Sequence, residues 1–129
     1  MQHLLTLASV LLLAQQPVAD PAEQQTAQLE AQLAKLPVTS PEAANVMVQL
    51  VNLYHQQGRT LGLVRVGEDM VSKHATHPAT RDVMLKLLDG LRATSRNTRV
   101  VALARQFVER FPNDAERANV EHHATAALG

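Results

Sequence analysis

The sequence predicts an all-α protein built from successive pairs of amphipathic helices. Aliphatic residues recur at the 3.6-residue spacing of helices in one stretch after another, and Gly or Pro punctuates the stretches. Strand formers are too sparse and unpatterned for a sheet. Of the 129 residues 46 % are hydrophobic, with Ala, Leu and Val dominant and only Tyr54, Phe107 and Phe111 aromatic, so a thin aliphatic core is expected.

Residues 1–19 read as a signal peptide. Leu4 to Ala14 carries no charge and only Thr6 and Ser9 as polar groups, which suits an h-region and falls short of the roughly 20 residues of a membrane-spanning helix. Small residues allow cleavage after Ala14 or Ala19, although Met1-Gln2-His3 supplies no Lys or Arg. A buried amphipathic helix and an uncleaved anchor are the other readings of this segment. With no cysteine following it, a lipoprotein-type anchor is excluded.

Residues 20–40 are expected to form a short helix and a Pro-containing linker. Leu29, Leu33 and Leu36 share one helical face, and the helix should stop before Pro37. Residues 41–129 form the repeat domain. Ser40 is the expected N-cap and Pro41 the first helical residue of a helix reaching Gln57, with Ala43, Val46, Met47, Leu50, Leu53 and Tyr54 on its stripe. Gly58 supplies its left-handed stop. A second helix from about Thr60 to Ala75 turns Leu63, Val64, Val66, Met70 and Val71 inward. A third presents Val83, Met84, Leu87, Leu88 and Leu91. After the turn "ATSRN", Val100, Leu103, Ala104, Phe107, Val108 and Phe111 give the most regular apolar face of the chain. Pro112 stops that helix, and Asn113 with Glu116 suggests a capping box for a last one.

Composition narrows the function classes. The absence of cysteine excludes disulfides, thiolate metal sites and a cysteine nucleophile. Net charge is zero, which argues against bulk nucleic-acid or membrane-surface binding, but the charges are segregated. Residues 81–110 hold seven basic against three acidic groups, and residues 20–49 four acidic against one basic. His74 and His77 stand one turn apart with no third ligand fixed by spacing, and His122-His123 point about 100° apart on a helix. Both pairs read as exposed surface rather than metal ligands. Glu68-Asp69 reads as a solvated helix face, and no HExxH, GxSxG or Gly-rich phosphate loop is present. No cofactor is expected. Arg92, Arg96 and Arg99 gather around one turn, where they suit either the negative end of a helix or an acidic ligand. Nucleic acid fits less well, because aromatics for base stacking are missing.

Pro78 and Pro112 stand 34 residues apart, and apolar positions before them keep that offset: Leu50 with Met84, Leu53 with Leu87, Tyr54 with Leu88, Val66 with Val100, Met70 with Ala104. With "FVERFPND", this stretch resembles two tetratricopeptide repeats (TPR) followed by a C-terminal capping helix. The resemblance covers a little over half the chain, and its repeats are degenerate: Tyr54, Leu88, Val66 and Val100 stand where that family prefers small residues. It implies antiparallel helix-turn-helix repeats, a right-handed α-solenoid fragment whose concave face grips a protein or peptide, and no chemistry. On that likeness the binding residues are Val48, Val51, His55 and Arg59 in one unit and Asp82, Leu85, Asp89 and Arg92 in the next, with Arg96 added from the arginine cluster. The expectation is a non-catalytic interaction or scaffold module, exported to the periplasm or secreted, touching membrane only through an uncleaved N-terminal segment. The alternatives are a homo-oligomer pairing through Val120 and Ala124 to Leu128, and a small metal-dependent enzyme.

Overall fold

The computed structural model describes residues 20–129, which form six α-helices: α1 (Pro21–Ala34), α2 (Pro41–Gln57), α3 (Thr60–Lys73), α4 (Thr80–Ala93), α5 (Asn97–Arg110) and α6 (Arg117–Leu128). The all-α expectation holds, with no strand among the described residues. The expected leader over residues 1–19 lies outside them.

Local chemistry sets the helix ends. Ser40 Oγ accepts the Ala43 N–H at 3.1 Å, and Pro41 opens α2 with its preset φ. Gly58 takes φ 68° to close it. The second expected helix ends at Lys73 rather than Ala75, so His74 and His77 both lie in the connection. Asn113 is not the cap of α6. Instead Asp114 Oδ1 accepts the Glu116 N–H at 2.9 Å, and the helix starts at Arg117.

The structure replaces the expected 34-residue register with one of 37. The 14-residue helices α1, α3 and α5 each lead through a six-residue connection into α2, α4 and α6. Gly58 and Ser95, 37 residues apart, are the two described residues with positive φ, at 68° and 56°. In both turns the following N–H returns to the same place in the helix: Arg59 to the Tyr54 carbonyl and Arg96 to the Leu91 carbonyl, each at 2.9 Å. Ser40, His77 and Asp114, again 37 apart, each accept a backbone N–H at the start of the next helix.

Burial follows the same spacing. Leu63, Val66 and Met70 are buried with Val100, Leu103 and Phe107, and Val46, Met47, Leu50 and Val51 with Val83, Met84, Leu87 and Leu88. Val66 therefore corresponds to Leu103 rather than Val100, and Tyr54 to Leu91 rather than Leu88. The prolines misled because they occupy different places in connections of equal length: Pro78 stands near the end of one and Pro112 near the start of the other. A proline terminates a helix from either place.

Helices that are neighbours in sequence pack against one another, and α2 also touches α4. Gln57, at the end of α2, donates to Thr26 Oγ1 and the Ala22 carbonyl near the start of α1. Arg81, at the start of α4, grips Asp114 beyond the end of α5. Side chains also join alternate helices: Asn52 with Lys86, Glu68 with Arg99, and Arg92 with His123. One aliphatic core runs from Leu29 to Val120. Its largest fully buried side chain, Phe107, tilts against Phe111 with ring centroids 5.1 Å apart. Burying such a side chain contributes about 1.5–3 kcal/mol.

Candidate functional site

The expected binding residues divide into one connected surface and several outliers. The surface lies on α2, α4 and α6. On α2, Val48 is half-buried against the core and His55 is exposed; on α4, Leu85 is half-buried, and Asp89 and Arg92 are exposed. His55, Lys86 and Asp89 line a shallow cleft of about 170 Å³ between α2 and α4. Leu85, Asp89, Asn119 and His123 line one of about 110 Å³ between α4 and α6.

Val51 is a correction. It is fully buried beneath this surface and corresponds to Leu88, so it belongs to the core. The 34-residue register caused the error by placing a core position on the outer face. Asp82 sits apart, at the start of α4, with an oxygen 2.7 Å from Arg81 Nη1. Arg59 lies beside Glu30, 3.9 Å away, and over the Tyr54 ring. Arg96 is exposed before α5. The three arginines expected to act together are divided: Arg92 faces α6, Arg96 faces solvent, and Arg99 forms a two-pronged bond to Glu68 at 2.8 and 2.6 Å. Glu68 is therefore an interhelical tie rather than a solvated acid.

Polar contacts connect the surface. Lys86 Nζ donates to Asn52 Oδ1 across α2 and α4. Arg92 Nη1 lies 3.8 Å from Asp89 Oδ1 and 3.4 Å from His123 Nε2. Burial pushes the His123 imidazole below its ordinary pKa, and the Arg92 charge pushes in the same direction. A neutral ring with Nε2 accepting from Arg92 carries its proton on Nδ1, an atom with no partner among the described residues. Reading His122-His123 together as solvated surface missed this. The available signal was the three-residue step from buried Val120, which puts His123 on the inward side of α6.

The histidine pair of the α3–α4 connection is structural. His74 Nε2 lies 2.7 Å from the Val38 carbonyl, tying this connection to the one before α2, and His77 Nδ1 accepts the Ala79 N–H at 3.0 Å. Among the described residues no group of three or more His, Asp or Glu is placed to hold a metal ion. Nor is any described helix long and apolar enough to cross a membrane. Compared with protein-family models, curated proteins and solved structures, the chain matches none.

Proposed function

We propose that the protein is a non-catalytic interaction module, a TPR-like right-handed stack of helical hairpins with a 37-residue unit, that binds an extended acidic peptide across α2, α4 and α6. The observation carrying this reading is a pair of clefts that share Asp89, one lined by His55 and Lys86 and the other by Leu85 and His123, with Arg92 3.8 Å from Asp89. Aliphatic contacts there supply affinity, and the cations select carboxylates through charge-assisted hydrogen bonds. A helical unit that cannot bury its faces alone gains stability from neighbours and leaves such a face for a ligand. Export belongs to the same proposal and rests on the h-region of residues 1–19; intact mass of the mature protein should place its start near Gln15 or Asp20.

The test is peptide selection from a displayed library on the full chain. Enriched sequences should be acidic and should lose binding to a Leu85→Asp, Arg92→Glu double variant while keeping it to Arg110→Gln on α5. Equal binding to all three proteins would sink the assignment.

A further inference from the structure

Where α1, α2 and the start of α3 meet, Glu30, Tyr54, Arg59, Leu61, Gly62 and Arg65 line an open pocket of about 300 Å³. Tyr54 is only 2 % exposed. Its ring lies so close to Gly62 that a Cβ there would come within 3.1 Å of the ring atoms. Its hydroxyl lies within hydrogen-bonding reach of the Glu30 and Arg65 side chains, both of which line the same pocket. Burial pushes this phenol above its ordinary pKa, so it remains a donor at neutral pH, while Glu30 and Arg65 are near enough to act on it in opposite senses. A buried side chain thus places its hydroxyl at the pocket between an acid and a cation.

The charges around it do not cancel. Arg59 and Arg65 face Glu30 alone, and the one ion pair, Arg59 with Glu30, is loose at 3.9 Å. Arg65 is exposed and has no ion pair among the described residues. The next hairpin shows that the fold does not require this set. Thirty-seven residues on, Leu91 stands for Tyr54, Ala102 for Arg65 and Gly67 for Glu30.

We propose that this pocket binds one carboxylate bearing a short aliphatic group. Arg65 and the Tyr54 hydroxyl donate to its oxygens, Arg59 exchanges its loose pair with Glu30 for the ligand, and Leu61, 68 % exposed, covers the aliphatic part. One uncompensated positive charge matches a monoanion better than a phosphate dianion. The site is separate from the face on α2, α4 and α6, so either assignment can fail alone.

Tyr54 is the only tyrosine and there is no tryptophan, so intrinsic fluorescence of the full chain reports from this pocket. Titration with isovalerate and with N-acetyl-leucine should give a saturable change with at least one of them, and N-acetyl-leucinamide, lacking the carboxylate, should give none. Tighter binding of N-acetyl-leucine assigns a peptide terminus as the ligand; tighter binding of isovalerate assigns a free acid. Arg65→Gln should weaken binding about tenfold or more, in line with loss of a hydrogen bond to a charged group. Arg110→Gln should bind as the parent does, with circular dichroism melts confirming that both variants fold. If Arg65→Gln does not fold, Arg65→Lys replaces it and should weaken binding severalfold, because the bidentate fork is lost. No saturable response to either acid, an equal response to the amide, or unchanged affinity in the Arg65 variant would overturn the proposal.

Discussion

Gly67 and Gly90 lie inside 14-residue helices, and replacing either by Ala should gain the same ~0.8–1.0 kcal/mol of intrinsic helix propensity. Any difference between the two variants therefore reports packing. A Cβ at position 67 would stand 3.2 Å from Leu87 Cδ1, the far end of a flexible side chain that can rotate away. The following hairpin already carries Ala104 at the corresponding place. A Cβ at position 90 would stand 2.9 Å from Leu63 Cδ2 and 3.1 Å from Val64 Cγ2. Val64 is β-branched and has little χ1 freedom in a helix, so α3 and α4 must separate slightly. Overpacking of this kind costs about 1–3 kcal/mol. Gly67→Ala should then be neutral to stabilising by about 1 kcal/mol, and Gly90→Ala neutral to destabilising by about 2 kcal/mol. Urea unfolding followed by circular dichroism separates them, since slopes of about 1–3 kcal/mol per molar turn that gap into roughly 1 M of midpoint. A higher midpoint for Gly90→Ala than for Gly67→Ala would refute the assigned contact between α3 and α4.

Asp114 is held at about 2, against an ordinary 3.8, by the Arg81 fork and then by the Glu116 N–H. The unfolded chain takes up this proton first, so the contribution is present above about pH 4 and lost as pH falls toward 2. Asp114→Asn should lower the urea midpoint near neutrality and flatten its fall in acid, and a parent-like acid profile would contradict the pairing. His123 is depressed chiefly by burial, so the folded protein favours the neutral ring. Its contribution is complete above about pH 6.5 and declines as pH falls below that. His123→Gln should remove that part of the slope in mild acid, and an unchanged slope would place the ring in solvent. Leu103 is fully buried, and Leu103→Asp would put a carboxylate among aliphatic side chains. Thermal unfolding should lose its cooperativity; a variant that melts like the parent would remove Leu103 from the core.

The helices were legible because each carries its own periodicity and stop signal, as α2 does with Ser40, Pro41 and Gly58. The register was not, for a geometric reason. Offsets of 34 and 37 differ by three residues, about 300° around a helix, so a stripe shifted by three falls only about 60° from its starting face. Apolar positions alone cannot separate two such offsets. The turns could have: Gly58-Arg59 and Ser95-Arg96 stand 37 residues apart, but serine is not the residue one expects at positive φ. The same shift moved Val51 from the core onto the expected face and hid the match between His55 and Arg92, which both close their helices one turn before those residues. Tertiary polar pairs such as Arg81 with Asp114 were beyond the sequence, because they require knowing which connection lies beside which helix.

The corrected register also bears on self-association. Val120, one of the residues expected to pair with a second copy, is 1 % exposed and lies in the core as the counterpart of Val83. Along α6 the positions matching buried Met84, Leu87 and Leu88 of α4 hold Glu121, Ala124 and Thr125. Each exchange shrinks or polarises the outer surface. Glu121 pairs with Arg117 one turn earlier at 2.9 Å, and the groove of about 510 Å³ between α5 and α6 is rimmed by Arg105, Glu109 and Glu121 around Ala104, Val108 and Ala124. A stable interface needs a dehydrated apolar centre with few charges. Here the centre consists of small side chains within a charged rim, and Leu128 is the one large apolar residue left exposed on the helix. Pairing through Ala124 to Leu128 would therefore have to rest on Leu128 and small side chains, with Val120 already committed to the core.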